Sequence, residues 1–497
     1  MIDELFRKFS ASRTPCREDF PAGKMFILLQ DPFGLWCTFH VSKSLAVDEP
    51  NIYENLRGKT DKSNRDSWIY CHCDKVTAIS GADESEKFKN TLAAMARGDD
   101  GIIGAVLLDF RERNGLYGSV NLLFKVNEGK SILGPYHYKI VQLKRAGELK
   151  EHYAMQAAIM NKILCDIQQY NEQHALFVLK NKEKNVDCIK NLPRALEYVK
   201  QWHQIRENLI MPEAKKPPKA ALSPWRIYAN KYVFDNKDLV LFAHLNSSMR
   251  AALKEHGLNN YEDVYKAGLS KIKEILKEPL ADERLAVETY AHAVAYHKNT
   301  AVVRDKSFWP PAVKKRNLYF DFEATETFTA NSISFVYLIG IWDKEEDKFV
   351  CFVAKSEAEE EIIFKQFADY LGEEKSAALY HWTEYEVKKM RSLCEKYPKI
   401  KADLDKLISH CIDLKVVVEK SFYLPAPSLS LKAAAPAFGF KWRQDDCGAM
   451  DSMVYFTNWL KTGDKAQLDK VLMYNEDDCK AMLFVEEYLT THEVLTL

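Results

Sequence analysis

Long apolar runs are missing from this sequence. No stretch reaches the ~18 apolar residues that a membrane span needs, and the opening MIDELFRKFSASRTPCREDF lacks the apolar core of a secretory signal. The expectation is a cytoplasmic protein with no membrane partner. An excess of positive charge is missing too: 70 Lys and Arg stand against 71 Asp and Glu. No global basic field advertises nucleic acid, so any such site must be built from local patches. Paired cysteines are scarce. The 11 cysteines are scattered and odd in number, poor material for a disulfide framework. Cys71 and Cys73 in YCHC, joined by Cys16 or Cys37, raise a metal or iron–sulfur site. C-x-C lacks the spacing of common zinc knuckles and no second pair follows, so no iron–sulfur cluster is expected; reduced, mostly buried thiols are the preferred reading. No internal repeat or low-complexity tract is evident.

What is present is the composition of a soluble globular chain, 497 residues long, 47% hydrophobic and 28% charged, enough for two to four domains. MPEAKKPPKAALSP, residues 211–224, has four prolines and no apolar period and reads as a linker. A second break falls at RDKSFWPPAVKKRN, residues 304–317, where Pro310 and Pro311 cannot continue a helix. The predicted division is 1–210, 211–303 and 304–497, an α/β multidomain chain with a helical middle. In the first segment GIIGAVLLDFRE, SVNLLFKV and YHYKIVQLKRA read as strands, and KEHYAMQAAIMNKILCDIQQYN as an amphipathic helix. In the middle, Gly257 marks a helix stop, followed by an Asn-Asn turn. In the last, NLYFDFE, ISFVYLIGIW, KFVCFVA and SAALYH alternate with helices, which predicts a mixed sheet flanked by helices.

The acids of the last segment carry the chemistry. Asp321 and Glu323 in NLYFDFEATET share one face of a strand while Phe320 and Phe322 share the other. Two like charges so close are costly unless a cation, a base or solvent stands opposite. Glu384 or Glu386, in YHWTEYEVKKM, lies just beyond a strand at a helix start, and Tyr474 and Asp478 in MYNEDDCKAM stand four apart on one helix face. Such groups can converge at the end of one sheet. Two magnesium or manganese ions, roughly 4 Å apart, clamp the attacking and leaving oxygens of an in-line phosphodiester displacement. Hard cations take oxygen ligands, and a phenol beside them can orient the attacking water. Each piece alone is weak: an isolated Asp-x-Glu is more often a solvated strand edge. Their order and contexts raise the signal together.

Residues from about 315 to 497 resemble an RNase H-like exonuclease domain of the DEDD class, tyrosine subtype, as attached to RecB-like nucleases. YFDFEATE, YHWTEYE, IDLKVVVEKSFYLPAPSLSLKAAAPAFGFKWR and YNEDDCKAM fit that pattern. The resemblance implies that Asp321 and Glu323 form the first motif, Glu386 the second, and Tyr474 with Asp478 the third, with Asp321, Glu323, Glu386 and Asp478 as metal ligands. His381 and Glu386 depart from the commoner Asn-to-Asp form, leaving rate and metal preference open. Asp413 is a reserve candidate, with a helix N-cap as the preferred reading. Lys432, Lys441 and Arg443 supply positive charge near the acids, as phosphate contacts or as solvated lysines and arginine.

The first segment resembles the PD-(D/E)XK nuclease domain of the same composite family, beginning at DPFGLWCTFH. Its pattern places acids where this sequence has Asn121 and Gln142, before Lys144; Gln156 follows on the next helix, with Met160 where the family often has Tyr. The stretch RGKTDKSN offers Asp61 or Lys62 where a further acid belongs. An amide has an oxygen but no charge, so this site is expected to have lost its divalent cation. Lys144, Arg145 and Lys150 remain available to grip a phosphate backbone. The middle segment resembles a helix-hairpin-helix module, with LNSS in place of the hairpin glycines. The expectation is a metal-dependent nuclease, a 3′-to-5′ exonuclease acting on DNA or RNA through its last domain, with the first kept for binding. Rivals are a non-catalytic nucleic-acid-binding protein and a protein-interaction scaffold, for which neutral net charge is the only support.

Overall fold

The computed structural model describes the chain except residues 49–67, 70, 145, 181, 312–313, 326–333, 374–375 and 445–447. Asp61, Lys62 and Arg145 therefore lie outside the described residues. The chain divides into two compact units, Met1–Lys215 with Lys219–Ala229, and Lys216–Pro218 with Asn230–Leu497.

The first unit holds a six-stranded sheet in the order Val76–Ala78, Gly101–Ile103, Leu122–Val126, His137–Leu143, His174–Val178, Glu183–Asp187. A three-stranded sheet joins Phe20–Pro21, Leu116–Ser119 and Val106–Asp109. Two predicted strands are thus each broken and shared between the sheets. Gly104 turns the first at φ +67°, a conformation that costs glycine little. Asn121 holds the second break. Its carbonyl accepts from Gly104 N at 3.0 Å, and its side-chain Oδ1 accepts from Leu143 N at 3.1 Å. The helix Glu151–Gln168 buries residues on nearly every side, including Ala157, Ala158, Ile159 and Met160, as a helix in the middle of a core does. Met160 packs so closely on Gly118 that an added Cβ there would meet its Sδ at 3.1 Å.

The second unit begins with helices. Ser247–Glu255 is capped by Asn246, whose side chain accepts from Met249 N; the LNSS stretch thus serves as a helix start. Gly257, at φ +79°, ends it. Tyr261–Ile275, capped by Asn260 and kinked at Gly268, and Glu283–Lys298 follow. Beyond them lies a five-stranded sheet in the order Lys348–Val353, Val336–Asp343, Arg316–Ala324, Ala377–His381, Cys411–Asp413. The first three strands are antiparallel and the last two join in parallel. The period-two pattern of Arg316–Ala324 sorts its faces. Leu318, Phe320 and Phe322 enter a cluster with Ile363, Phe364, Phe367 and Leu371 of helix Glu360–Leu371, each such burial contributing about 1.5–3 kcal/mol. Tyr319 points the other way, into a cluster with Ala481, Met482 and Val485 of the long helix Lys465–Thr491. Tyr319 also donates to Glu486 Oε2 at 2.8 Å. Asp321 and Glu323 share that face. Among the described residues no helix is long and apolar enough to cross a membrane.

Candidate metal centre

The strand Arg316–Ala324 and the helix Lys465–Thr491 bring Asp321, Glu323 and Asp478 together, with one ligand oxygen from each lying within 4.8 Å of the others. Oxygens gathered this closely are within reach of one or two hard cations bound at about 2.0–2.1 Å. Glu323 and Asp478 are buried and Asp321 is half-buried. Burial pushes all three carboxyls upward, and mutual repulsion adds to it at Asp321 and Glu323. Asp321 rises well above its ordinary value, from burial, then Asp478, Glu323 and Glu386. Glu323 is pushed up to about 8 by burial and by Asp478. A group of acids this crowded and this dry suits divalent cations, which would hold it ionised.

The remaining partners fix the geometry. Asn475, one residue past Tyr474, donates from Nδ2 to Asp321 Oδ2 at 2.9 Å. Its Oδ1 is buried without a hydrogen-bond partner, a cost of about 1–3 kcal/mol, and it presses on Gly340, where an added Cβ would meet it at 1.6 Å. Gly340 is the register partner of Asp321, so only a glycine there lets Asn475 reach that carboxylate. Tyr337 donates to Glu323 Oε2 at 3.3 Å and lies 2.8 Å from Ser452 Oγ. Trp442 Nε1 donates to Asp478 Oδ1 at 2.7 Å, and Tyr474 is hydrogen-bonded to Asp478 as well. Burial and the neighbouring acids push the Tyr474 phenol far upward, so it keeps its proton. Lys432 Nζ lies 3.6 Å from Asp478 Oδ1 and sits over the rings of Trp442 at 4.2 Å and Tyr474 at 4.4 Å.

Glu386 is buried at the start of helix Tyr385–Lys396, 3.6 Å from His381 Nδ1 and 3.5 Å from Thr383 Oγ1. It lies outside the group of three ligand atoms but within electrostatic reach of Asp321. Its neighbour Glu384 is exposed and paired with Lys388. Asp413 accepts from Val416 N at 3.1 Å as the N-cap of helix Leu414–Ser421. Arg443 is placed differently from Lys432. Its Nε donates to Asp477 Oδ1 at 2.7 Å and an Nη to Glu476 Oε2 at 2.7 Å, which ties the guanidinium to the helix. Lys441 is exposed.

In the first unit Asn121 is bonded into the sheet corner, and Gln142 is buried at 3% exposure. Lys144 Nζ lies 4.9 Å over the Tyr153 ring, and Gln156 is half-buried. Among the described residues of this unit no three His, Cys, Asp or Glu side chains gather closely enough to share an ion.

Sequence reasoning missed Asn475, Gly340, Tyr337, Ser452 and Trp442. Asn475 adjoins Tyr474 in YNEDD, but only the sheet register discloses that it reaches back to Asp321.

A mixed sheet with acids converging from a central strand and a long helix defines a nuclease-like α/β fold. Residues 318–490, about a third of the chain, match the family model of the RNase H superfamily. Domains of this superfamily act on nucleic acids. No curated protein matches the chain.

Proposed function

We propose that the protein is a metal-dependent nuclease, a 3′-to-5′ exonuclease acting through residues 304–497. The other two parts of this reading are a helix-hairpin-helix-like middle over 211–303 and a PD-(D/E)XK-like domain over 1–210 kept for binding. The convergence of Asp321, Glu323 and Asp478 within 4.8 Å is the observation that carries the reading. Two magnesium or manganese ions held by these acids and Glu386 would supply the charge that stabilises the attacking and leaving oxygens of a phosphodiester displacement. Asn475 orients Asp321, Tyr337 orients Glu323, and Trp442 orients Asp478. The Tyr474 hydroxyl, hydrogen-bonded to Asp478, is suited to orienting the attacking water. The Lys432 ammonium, stacked on two rings beside Asp478, is suited to a scissile or neighbouring phosphate. Asn121 and Gln142 leave the first domain without the acids its resemblance calls for, while the charge of Lys144 would serve to grip a phosphate backbone.

End-labelled single strands incubated with magnesium or manganese test this reading. Mononucleotides should appear before any internal fragment, and Asp321→Ala with Asp478→Ala should abolish their release. Turnover surviving that double variant would remove the assignment. Binding by titration without turnover in either metal would make the protein a nucleic-acid-binding one instead.

A further inference from the structure

A second group of metal-ligating side chains lies apart from the acids on strand Arg316–Ala324 and helix Lys465–Thr491. Glu288 and His292 stand one turn apart on helix Glu283–Lys298, and His244 reaches them from the segment before helix Ser247–Glu255. One ligand atom from each of the three lies within 4.8 Å of the others.

The hydrogen bonds fix both tautomers. The Thr289 hydroxyl donates to Leu285 O at 2.7 Å, so toward His244 Nε2, 2.9 Å away, it can only accept. His244 Nε2 therefore carries the hydrogen and Nδ1 the lone pair. That Nδ1 is buried with no hydrogen-bond partner, in a side chain only 10% exposed, 3.7 Å from Glu288 Oε1. His292 Nδ1 lies 3.2 Å from the Leu424 carbonyl, which can only accept, so its remaining lone pair is on Nε2. Two neutral imidazoles and a carboxylate are acceptors gathered without a donor among them. Arg284 and Arg304 are within electrostatic reach of Glu288. Among the described residues neither hydrogen-bonds to it: Arg304 donates to Glu419 O, and Arg284 faces Asp282. The two outer partners, Thr289 and Leu424, do for these rings what supporting hydrogen bonds do for metal-bound histidines.

We propose that His244, Glu288 and His292 form a zinc site, with a fourth position open to water. Two imidazoles and one carboxylate are a zinc donor set; magnesium and manganese, which suit the acid cluster, prefer all-oxygen sites. The inference is independent of the nuclease reading.

Full-length protein carrying Asp321→Ala and Asp478→Ala removes metal at the acid cluster. Freed of metal with chelator and dialysed against zinc, it should retain one zinc per chain. X-ray absorption at the zinc edge should show two imidazoles on that ion. Adding His244→Ala should abolish retention, and Thr289→Val should weaken it about 10–100-fold. No retained zinc in the double variant, or a zinc spectrum without imidazole, would overturn the proposal. Retention undiminished by His244→Ala would do the same, and should that variant fail to fold, the absorption spectrum of the folded chain decides.

Discussion

Replacing Asp478 with asparagine removes one of three acids while keeping a group of the same shape, and the structure sets the sign of the effect at each pH. The folded-state value of Glu323, about 8, lies above its ordinary 4.5. Its contribution to stability is therefore complete below pH 4.5 and lost as pH rises through 8, and Asp321 and Asp478 shift in the same direction. Without divalent metal the cluster should loosen between about pH 5 and pH 9. Two charges within 4.8 Å of each other repel by at least about 3 kcal/mol at an effective dielectric of 20. The substituted amide would forfeit the charge in the contacts with Trp442 and with the partly exposed Lys432, a loss of about 1 kcal/mol. Net, Asp478→Asn in chelator should be more stable than the parent by about 2 kcal/mol at pH 9, and that advantage should shrink as pH falls through about 8, where Glu323 takes up its proton. Saturating magnesium or manganese should reverse the order, since a ligand at 100 times its Kd stabilises its host by about 2.7 kcal/mol and the variant has lost a ligand. Hydrogen exchange of peptides from Arg316–Ala324 and Lys465–Thr491 reads this locally, which matters in a chain of two units. Lower protection of the variant at pH 9 in chelator, or equal metal protection of both proteins, would refute the reasoning.

Gly340→Ala puts a methyl where Asn475 Oδ1 lies 1.6 Å away; nuclease turnover should fall at least about tenfold, one hydrogen bond's worth of Asp321 orientation, with the far-UV circular dichroism unchanged. Gln142→Glu buries a charge at a 3% exposed position and should cost about 3–5 kcal/mol in chelator. Manganese should restore that stability in a urea melt only when Asn121→Asp is present too; no rescue would mean that these strands are not the pair the family resemblance implies. Lys432→Ala should weaken single-strand binding and reduce the salt slope by about 0.7, whereas Arg443→Ala, already tied to Asp477 and Glu476, should leave that slope unchanged.

The period of two in NLYFDFEA was enough to place Phe320 and Phe322 against one helix and Asp321 and Glu323 on the opposite face, because strand geometry allows no other division. The four-residue spacing of Tyr474 and Asp478 likewise placed both on one side of a long helix. What stayed hidden depends on register and on long-range approach. GIIGAVLLDF reads as one strand because each half is apolar, and the turn at Gly104 becomes visible only when its N–H meets the Asn121 carbonyl. Nothing in YNEDD marks Asn475 as a partner of Asp321 until Gly340 is seen beneath it. Arg443 and Lys432 look alike as positive charges. The distinction comes from the acids within reach of each: two on the helix for Arg443, and one shared with the cluster for Lys432.

The amides of the first unit and the carboxylates of the second meet different surroundings. Asn121 commits its Oδ1 to the Leu143 N–H and its carbonyl to Gly104, so its polarity is consumed by the sheet corner and no charge awaits an ion. At Asp321, Glu323 and Asp478, hydrogen bonds from Asn475, Tyr337, Tyr474 and Trp442 and the nearby Lys432 ammonium still leave three carboxyl groups crowded in a dry place. A fold does not keep such repulsion for its own stability, since asparagine or glutamine at those positions would relieve it. The three acids form a group that could hold a cation, and that makes the second unit, not the first, the place to look for chemistry.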